Sequence, residues 1–204
     1  MTMYNFGCAP NTPDRVAECA TWVGGFSPEE VDRIVDLCET TLTVDKATIG
    51  GLSKDEEYER IRKSKTGWLE YGPETAWVYD RMAYIAKHLN AKFWQFDLNG
   101  FTEKFQFTIY DGDDSHYTWH VDTIQDRNQA ISTPRKLSMV MQLSDPIDYS
   151  GGDLELKTGP SETVVTKSKG LVVAFPSYTL HRVTPVTSGI RKSLVMWIEG
   201  PPFK

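Results

Sequence analysis

Cysteine is scarce in this chain of 204 residues, with three copies at Cys8, Cys19 and Cys38. Their odd number and unpaired spacing give neither a disulfide framework nor a thiolate zinc site. We therefore expect reduced thiols. Cys38 falls on the apolar side of a predicted helix, where a free cysteine behaves as a small core side chain.

Long apolar runs and excess positive charge are also missing. No run approaches the length of a membrane span, and residues 1–5 lack the charged and apolar regions of a signal peptide. The 28 acidic residues outnumber the 22 basic ones, giving a net charge of −6. Because a protein that follows a phosphate backbone needs a basic face, this balance disfavours a nucleic-acid partner. We expect a cytoplasmic protein with no membrane partner.

The first 92 residues carry helical signals. Ser27 is a predicted N-cap, Pro28 suits the first helical position, and Glu30 completes a capping box. Apolar residues then recur at helical spacing, and a second helix fits residues 73–89. The mixed-charge run at 54–65 is most simply a solvated surface segment.

After residue 92 the pattern is typical of strands. Residues 93–98 and 104–110 alternate in polarity around a turn at Asn99-Gly100. The remaining strands are predicted near 118–122, 137–143, 153–156, 162–166, 170–175, 179–183 and 191–198. Many short strands after two helices indicate one domain, an antiparallel sandwich with helices packed on one sheet.

Histidine is rare as well, and two of the four histidines stand in an informative pattern. His120 and Asp122 are two residues apart, so a strand would point both to the same side. His181 follows the predicted buried strand at 170–175. Two imidazoles and one carboxylate suit one face of a six-coordinate Fe(II) ion. Arg191 begins the next predicted strand, and a hairpin-like return between 181 and 191 would bring it back toward the metal.

Three sequence blocks together resemble the Fe(II)/2-oxoglutarate-dependent dioxygenases of the prolyl 4-hydroxylase-like group, closest to its bacterial and phage-type members. The first block is Tyr-Asp-Gly at 110–112 followed by Tyr-Thr-Trp-His-Val-Asp at 117–122. The second is the strand at 136–146 with Gly-Gly-Asp-Leu at 151–154. The third runs from Phe175 to Leu194, and the whole resemblance covers residues 105–201.

The resemblance implies a fold and a set of site residues. The fold is a jelly roll, or double-stranded β-helix, at residues 93–204, supported by a helical N-terminal part at 1–92 within a single domain, 1–204. The implied iron ligands are His120, Asp122 and His181. Arg191 would bind the distal carboxylate of 2-oxoglutarate, because its planar guanidinium meets a carboxylate bidentately. Tyr110 and Gln142 would contact the same co-substrate.

The implied activity is hydroxylation of an amino-acid or peptidyl substrate, with proline as one candidate. The partners would be Fe(II), 2-oxoglutarate and O2, with release of succinate and CO2, and ascorbate as an additional cofactor. Two alternatives stay open at this point. One is an oxidative demethylase of nucleic acid, and the other is a jelly-roll protein that holds a metal without turnover.

Several neighbouring residues allow more than one interpretation. The segment 123–134 suits either a lid over the site or a plain loop. His116 suits an exposed loop better than a site, and His88 suits a helix surface. For Trp119 the sequence favours a core position and a substrate contact about equally. Core positions are predicted for Trp68, Trp77, Trp94 and Trp197. Tyr178 and Arg182 would either line the substrate opening or cap a strand end.

Overall fold

The computed structural model describes residues 16–47, 56–123 and 133–203, with residues 56–58 described by their backbone alone. Its helices are α1 (Pro28–Thr41), α2 (Glu56–Ile61) and α3 (Ala76–Phe93). Helix α1 begins where the capping box predicts. The Ser27 hydroxyl accepts from the Glu30 backbone N–H, and the Glu30 carboxylate accepts from the Ser27 N–H at 2.9 Å. No helix in these ranges is long and apolar enough to cross a membrane.

The strands of the described ranges form two antiparallel layers. They are β1 (Ala20–Trp22), β2 (Asp45–Lys46), β3 (Arg62–Lys63), β4 (Lys65–Leu69), β5 (Phe105–Asp111), β6 (Ser115–His120), β7 (Arg135–Gln142), β8 (Tyr149–Gly151), β9 (Leu154–Lys157), β10 (Thr163–Val164), β11 (Val172–Pro176) and β12 (Leu180–Glu199). The larger layer runs β1-β11-β7-β12-β5-β4-β2. The smaller layer places β6, β8 and β9 on β12, with β3 and β10 outside them. The predicted helix-supported jelly roll is confirmed.

Two predictions about the N-terminal part need correction. The first 92 residues are not only helical, because they also supply β1 to β4, and β4 pairs with β5 along its whole length. The predicted strand at 93–98 does not form. Helix α3 continues to Phe93, and the Asn90 side chain then bonds the main-chain N–H and C=O of Phe96, which holds these residues as a loop.

Strand β12 replaces the predicted hairpin. Residues 180–199 form one continuous strand, whose first half pairs with β6, β8 and β9 and whose second half pairs with β5 and β7. Gly189 lies between the halves with φ of +72°, a backbone conformation that favours glycine. His181 therefore lies in the smaller layer, and Arg191 lies in the larger one.

Alternation along the central strands creates two apolar clusters. One face of β5, β7 and β12 packs against α1 and α3 through residues such as Phe107, Met139 and Met196. The opposite face contributes to a second cluster between the layers, which includes Val140 and Phe175. Buried polar side chains share this inner face: Gln106, Thr108, Ser138, Gln142, Arg191 and Ser193. The alternation therefore directs polar groups into the space between the layers.

The cysteines agree with the prediction where they are described. Cys38 is a free thiol buried within α1, and burial raises its pKa to about 12. Cys19 is a free, half-buried thiol. Cys8 lies outside the described residues.

Candidate active site

His120, Asp122 and His181 meet at one point between the layers. His120 is the last residue of β6 and pairs directly with His181 of β12. One ligand atom from each of the three residues lies within 4.8 Å of the others. Asp122 lies just beyond the strand, so the predicted strand at 118–122 is shifted to 115–120. Its backbone N–H donates to the carbonyl of Ser177 at 2.9 Å, which fixes its position.

Both imidazoles are oriented by the main chain. Nδ1 of His120 lies 2.7 Å from the carbonyl of Thr118, and Nδ1 of His181 lies 2.9 Å from the carbonyl of Thr179. A carbonyl only accepts, so each Nδ1 carries a hydrogen, and in the neutral imidazole Nε2 then keeps its lone pair. The Nε2 atoms lie 3.8 Å and 3.5 Å from the Asp122 carboxylate oxygens. This is the tautomer in which two histidines bind a metal ion.

The protonation states also suit a metal ligand set. Burial, followed by the neighbouring His181, lowers the pKa of His120 to about 3, although Asp122 opposes the shift. Burial alone would raise the pKa of Asp122, but the two histidines and the Ser138 hydroxyl outweigh it and lower the pKa. Ser138 Oγ donates to Asp122 Oδ2 at 2.7 Å. The site therefore offers a neutral imidazole at His120 and a carboxylate at Asp122, which are the forms that bind metals.

Arg191 is a buried cation whose hydrogen-bond acceptors are neutral. Its side chain is 1% exposed, Nη2 donates to Gln142 Oε1 at 3.1 Å, and Nη1 donates to Ser193 Oγ at 3.4 Å. Its guanidinium lies 5.2 Å from the centre of the Tyr110 ring. Nε has no partner, and no carboxylate of the described residues pairs with this guanidinium. Because burying an unpaired charge is costly, the arrangement fits a carboxylate supplied by a ligand.

The His-Asp-His cluster and Arg191 line the same cavity, which has a volume of about 460 Å³ and takes walls from both layers. Tyr110 lines the cavity, and Gln142 reaches it through its contact with Arg191. The residue types therefore fit a divalent metal at one place and a carboxylate at another.

The sequence interpretation missed several side chains of this site. Tyr149 on β8 hydrogen-bonds to Arg191; burial raises the pKa of its hydroxyl, and the guanidinium partly opposes this shift. Arg62 and Arg135 line the cavity, although no motif singles them out, and Tyr117 lines it as well, although the first block gives it no role in the site. Arg62 also contradicts the prediction of a solvated run at 54–65, because it is only 7% exposed.

The tryptophan predictions are confirmed in part. Trp94 is buried in the cluster under the helices, and Trp77 packs against it. Trp68 and Trp197 instead line the cavity with ring centres 6.4 Å apart, and Trp68 is 42% exposed. Trp119 lies outside the lining, with the cationic groups of Lys157 and Arg182 over its ring.

The remaining neighbours lie away from the cavity lining. His116 lies within β6 and contacts the carbonyls of Asp114 and Arg60, and His88 is exposed on α3. Arg182 pairs with Glu155 at 2.6 Å, and the Tyr178 ring contacts Phe203. Most of the predicted lid, residues 124–132, lies outside the described residues.

Comparisons with known proteins agree with this geometry. The 2OG-Fe(II) oxygenase superfamily matches residues 105–199. A PKHD-type hydroxylase of Synechococcus sp. (strain CC9605) is 46% identical over 85 residues, which cover 41% of this chain and 36% of that protein. The chain thus spans well under half the length of the curated relatives it matches.

Solved structures share the fold. A prolyl-4-hydroxylase from Pseudomonas putida superposes with a TM-score of 0.69 at 19% identity, covering 91% of this chain and 94% of the other. A prolyl hydroxylase from Trichoplax adhaerens, in complex with a hypoxia inducible factor peptide fragment, gives 0.70 at 16% identity and covers 89% and 83%. Residues 105–199 thus match the 2OG-Fe(II) oxygenase superfamily, and the chain shares the fold of solved prolyl hydroxylases.

Proposed function

We propose that this chain is an Fe(II)- and 2-oxoglutarate-dependent dioxygenase that hydroxylates an amino-acid or peptidyl substrate, with release of succinate and CO2. The observation that carries the proposal is Arg191, a buried cation without a carboxylate partner among the described residues, which lines the same cavity as a His-Asp-His cluster. A metal-storage protein would need the cluster but would not need Arg191.

Each side chain has a separate task in this proposal. His120, Asp122 and His181 hold Fe(II), and Arg191 binds the distal carboxylate of 2-oxoglutarate, with Gln142 and Tyr110 beside it. When bound, Fe(II) and 2-oxoglutarate supply the oxygen-activating chemistry. The cavity walls also contain the apolar side chains of Val140, Leu154 and Val195.

A prolyl substrate is the first candidate. It is supported by the fold shared with prolyl hydroxylases, one of which is in complex with a peptide fragment. Nucleic-acid demethylation is the weaker alternative, because the net charge is −6. We also propose that residues 1–204 act as one domain in the cytoplasm, and that ascorbate sustains turnover as an added reductant.

The test begins with Fe(II) and 2-oxoglutarate added under anaerobic conditions. We expect a weak metal-to-ligand absorption band in the green, followed by succinate formation when air is admitted. Arg191→Gln should weaken 2-oxoglutarate binding by about tenfold to a hundredfold, because it removes a charge-assisted pair. Arg182→Gln is the matched control, since Arg182 lies outside the cavity lining.

Substrate identity is tested by mass spectrometry, as a gain of one oxygen on proline-containing peptides or free amino acids. Hydroxylation of another residue would overturn the prolyl assignment alone. Absence of both the absorption band and succinate would overturn the proposed function.

A further inference from the structure

Arg62 is a second buried cation in the wall of the same cavity. It is 7% exposed, and its backbone in β3 pairs with that of Tyr117 in β6. Its Nε donates to Ser64 Oγ at 3.0 Å, and Nη2 donates to Gln106 Oε1 at 2.7 Å. Both acceptors are neutral. Nη1 makes no hydrogen bond to the described part of the protein, so one edge of the guanidinium is left for a ligand.

The nearby carboxylates that the structure describes do not neutralise Arg62. Arg62 also lines a smaller cavity, whose lining contains acidic side chains. Each of these acids pairs with a lysine instead: Glu59 with Lys46 at 2.7 Å, Asp111 with Lys65 at 2.8 Å, and Asp113 with Lys63 at 3.0 Å.

Arg135 is an arginine in the same cavity wall whose charge is neutralised within the protein. It lines the same cavity, but its guanidinium makes two hydrogen bonds to the Glu103 carboxylate and lies over the Trp197 ring. Among the three arginines of the lining, Arg135 is thus paired within the protein. Arg191 has a ligand in the proposed function, since 2-oxoglutarate and Asp122 together balance Fe(II) and Arg191. Of these three arginines, Arg62 alone is left without a counter-charge from the described residues.

Arg62 is also close to the reacting centre. Its guanidinium lies 4.6 Å from the centre of the Tyr117 ring, and that ring stacks on His120 at a centroid distance of 3.5 Å. An anion held by Arg62 would therefore lie about one aromatic ring away from a metal ligand. This separation suits a small substrate whose charged group and reacting carbon are close together.

We infer that Arg62 binds a carboxylate of the substrate, so that the molecule oxidised in this cavity carries an acidic group near the carbon that reacts. The inference rests on the proposed function and narrows its substrate class. Two sources share this chemistry, the α-carboxylate of a free amino acid and the side-chain carboxylate of an acidic residue in a peptide.

The test compares acids with their uncharged amides. The protein is loaded with Mn(II) and saturating 2-oxoglutarate, and binding is measured by calorimetry. One arm uses free amino acids and their amides, beginning with L-proline and L-prolinamide. The other arm uses blocked proline peptides with Glu or Gln beside the proline. At least one acid should bind about tenfold or more tightly than its amide, as expected for a charge-assisted bidentate pair. The arm in which this preference occurs identifies the source.

Two variants then remove or neutralise the positive charge of Arg62. Arg62→Gln deletes the cation, and Gln106→Glu places a carboxylate against it. Both should reduce the acid-to-amide ratio to about one, with amide binding retained. Gln106→Glu keeps a buried pair, so it provides the test where Arg62→Gln does not fold. Lys65→Gln removes one positive charge nearby, outside the lining of the site cavity, and should keep the preference.

The outcomes separate the two proposals. Failure of 2-oxoglutarate to bind wild-type protein would overturn the proposed function. Normal 2-oxoglutarate binding with equal affinity for acids and amides would overturn only the role of Arg62. A preference for the acid over the amide that survives in both Arg62→Gln and Gln106→Glu would also overturn only the role of Arg62.

Discussion

Each side chain of the candidate metal centre is held by a neighbouring hydrogen bond, but the bonds differ in kind. The histidines are held by main-chain carbonyls of Thr118 and Thr179, which side-chain substitution leaves in place. Asp122 depends instead on the hydroxyl of Ser138. The carboxylate is therefore the ligand whose orientation a single substitution can release.

We expect Ser138→Ala to weaken metal binding by about tenfold, because outer hydrogen bonds that orient ligands typically contribute this much. Mn(II) titration followed by calorimetry measures the change. Ser177→Ala is the matched control, since its hydroxyl contacts Ser138 Oγ at 2.9 Å and does not reach Asp122 itself. Its effect should be smaller, and equal losses in the two variants would contradict the role given to Ser138.

Sequence reasoning at the residue scale depends on distinctive residue types. His120, Asp122, His181 and Arg191 could be singled out because the predicted strands around them place them suitably and their chemistry is specific. Arg62 could not, because it stands in a run of charged residues. The burial of Arg62, Ser64 and Thr66 follows a strand period, but all three are polar, so no hydrophobic pattern reveals it.

At the scale of secondary-structure elements, the sequence predicts the start of a helix correctly, but it does not predict which strands pair. Helix α1 begins where predicted because an N-cap is a contact within one turn. The sequence predicts two strands here, at 179–183 and 191–198, because Pro185, Ser188 and Gly189 between them resemble a turn. Pairing with β8 across this point keeps the strand continuous, and partners distant in sequence cannot be identified from local composition.

We expect Gly189→Ala to lower the free energy of unfolding by more than about 3 kcal/mol, since it adds a steric clash to left-handed backbone strain of about 1–2 kcal/mol. A Cβ at this position would lie 1.9 Å from the carbonyl oxygen of Asp148. Gly24→Ala is the matched control, with the same φ of +72° and nothing within 4 Å of the added Cβ. Urea denaturation measures both, and equal losses would show that the clash is relieved at no cost.

The whole molecule separates its stabilising core from its polar cavity. The cluster under the helices is apolar, whereas the space between the layers also buries Asp122, Arg62 and Arg191. Charges buried without ionic partners oppose folding. Ligands that supply the missing charges should therefore stabilise the protein, and their effects should depend on one another if they meet in one cavity.

Thermal unfolding with Mn(II) and 2-oxoglutarate tests this dependence. A ligand at a hundred times its Kd adds about 2.7 kcal/mol, and for a chain of this size the melting temperature Tm then rises by roughly 5–10 °C. We expect Mn(II) alone to raise Tm and 2-oxoglutarate alone to change it little, because it needs the metal to chelate. Together they should raise Tm by more than the sum of the separate shifts, and EDTA should reverse the gain.

Arg191→Gln should keep the Mn(II) shift and lose the further increase from 2-oxoglutarate, whereas Arg182→Gln should match wild type. A full 2-oxoglutarate shift without metal would contradict a shared site, because it would mean that Arg191 binds the co-substrate independently of the His-Asp-His cluster.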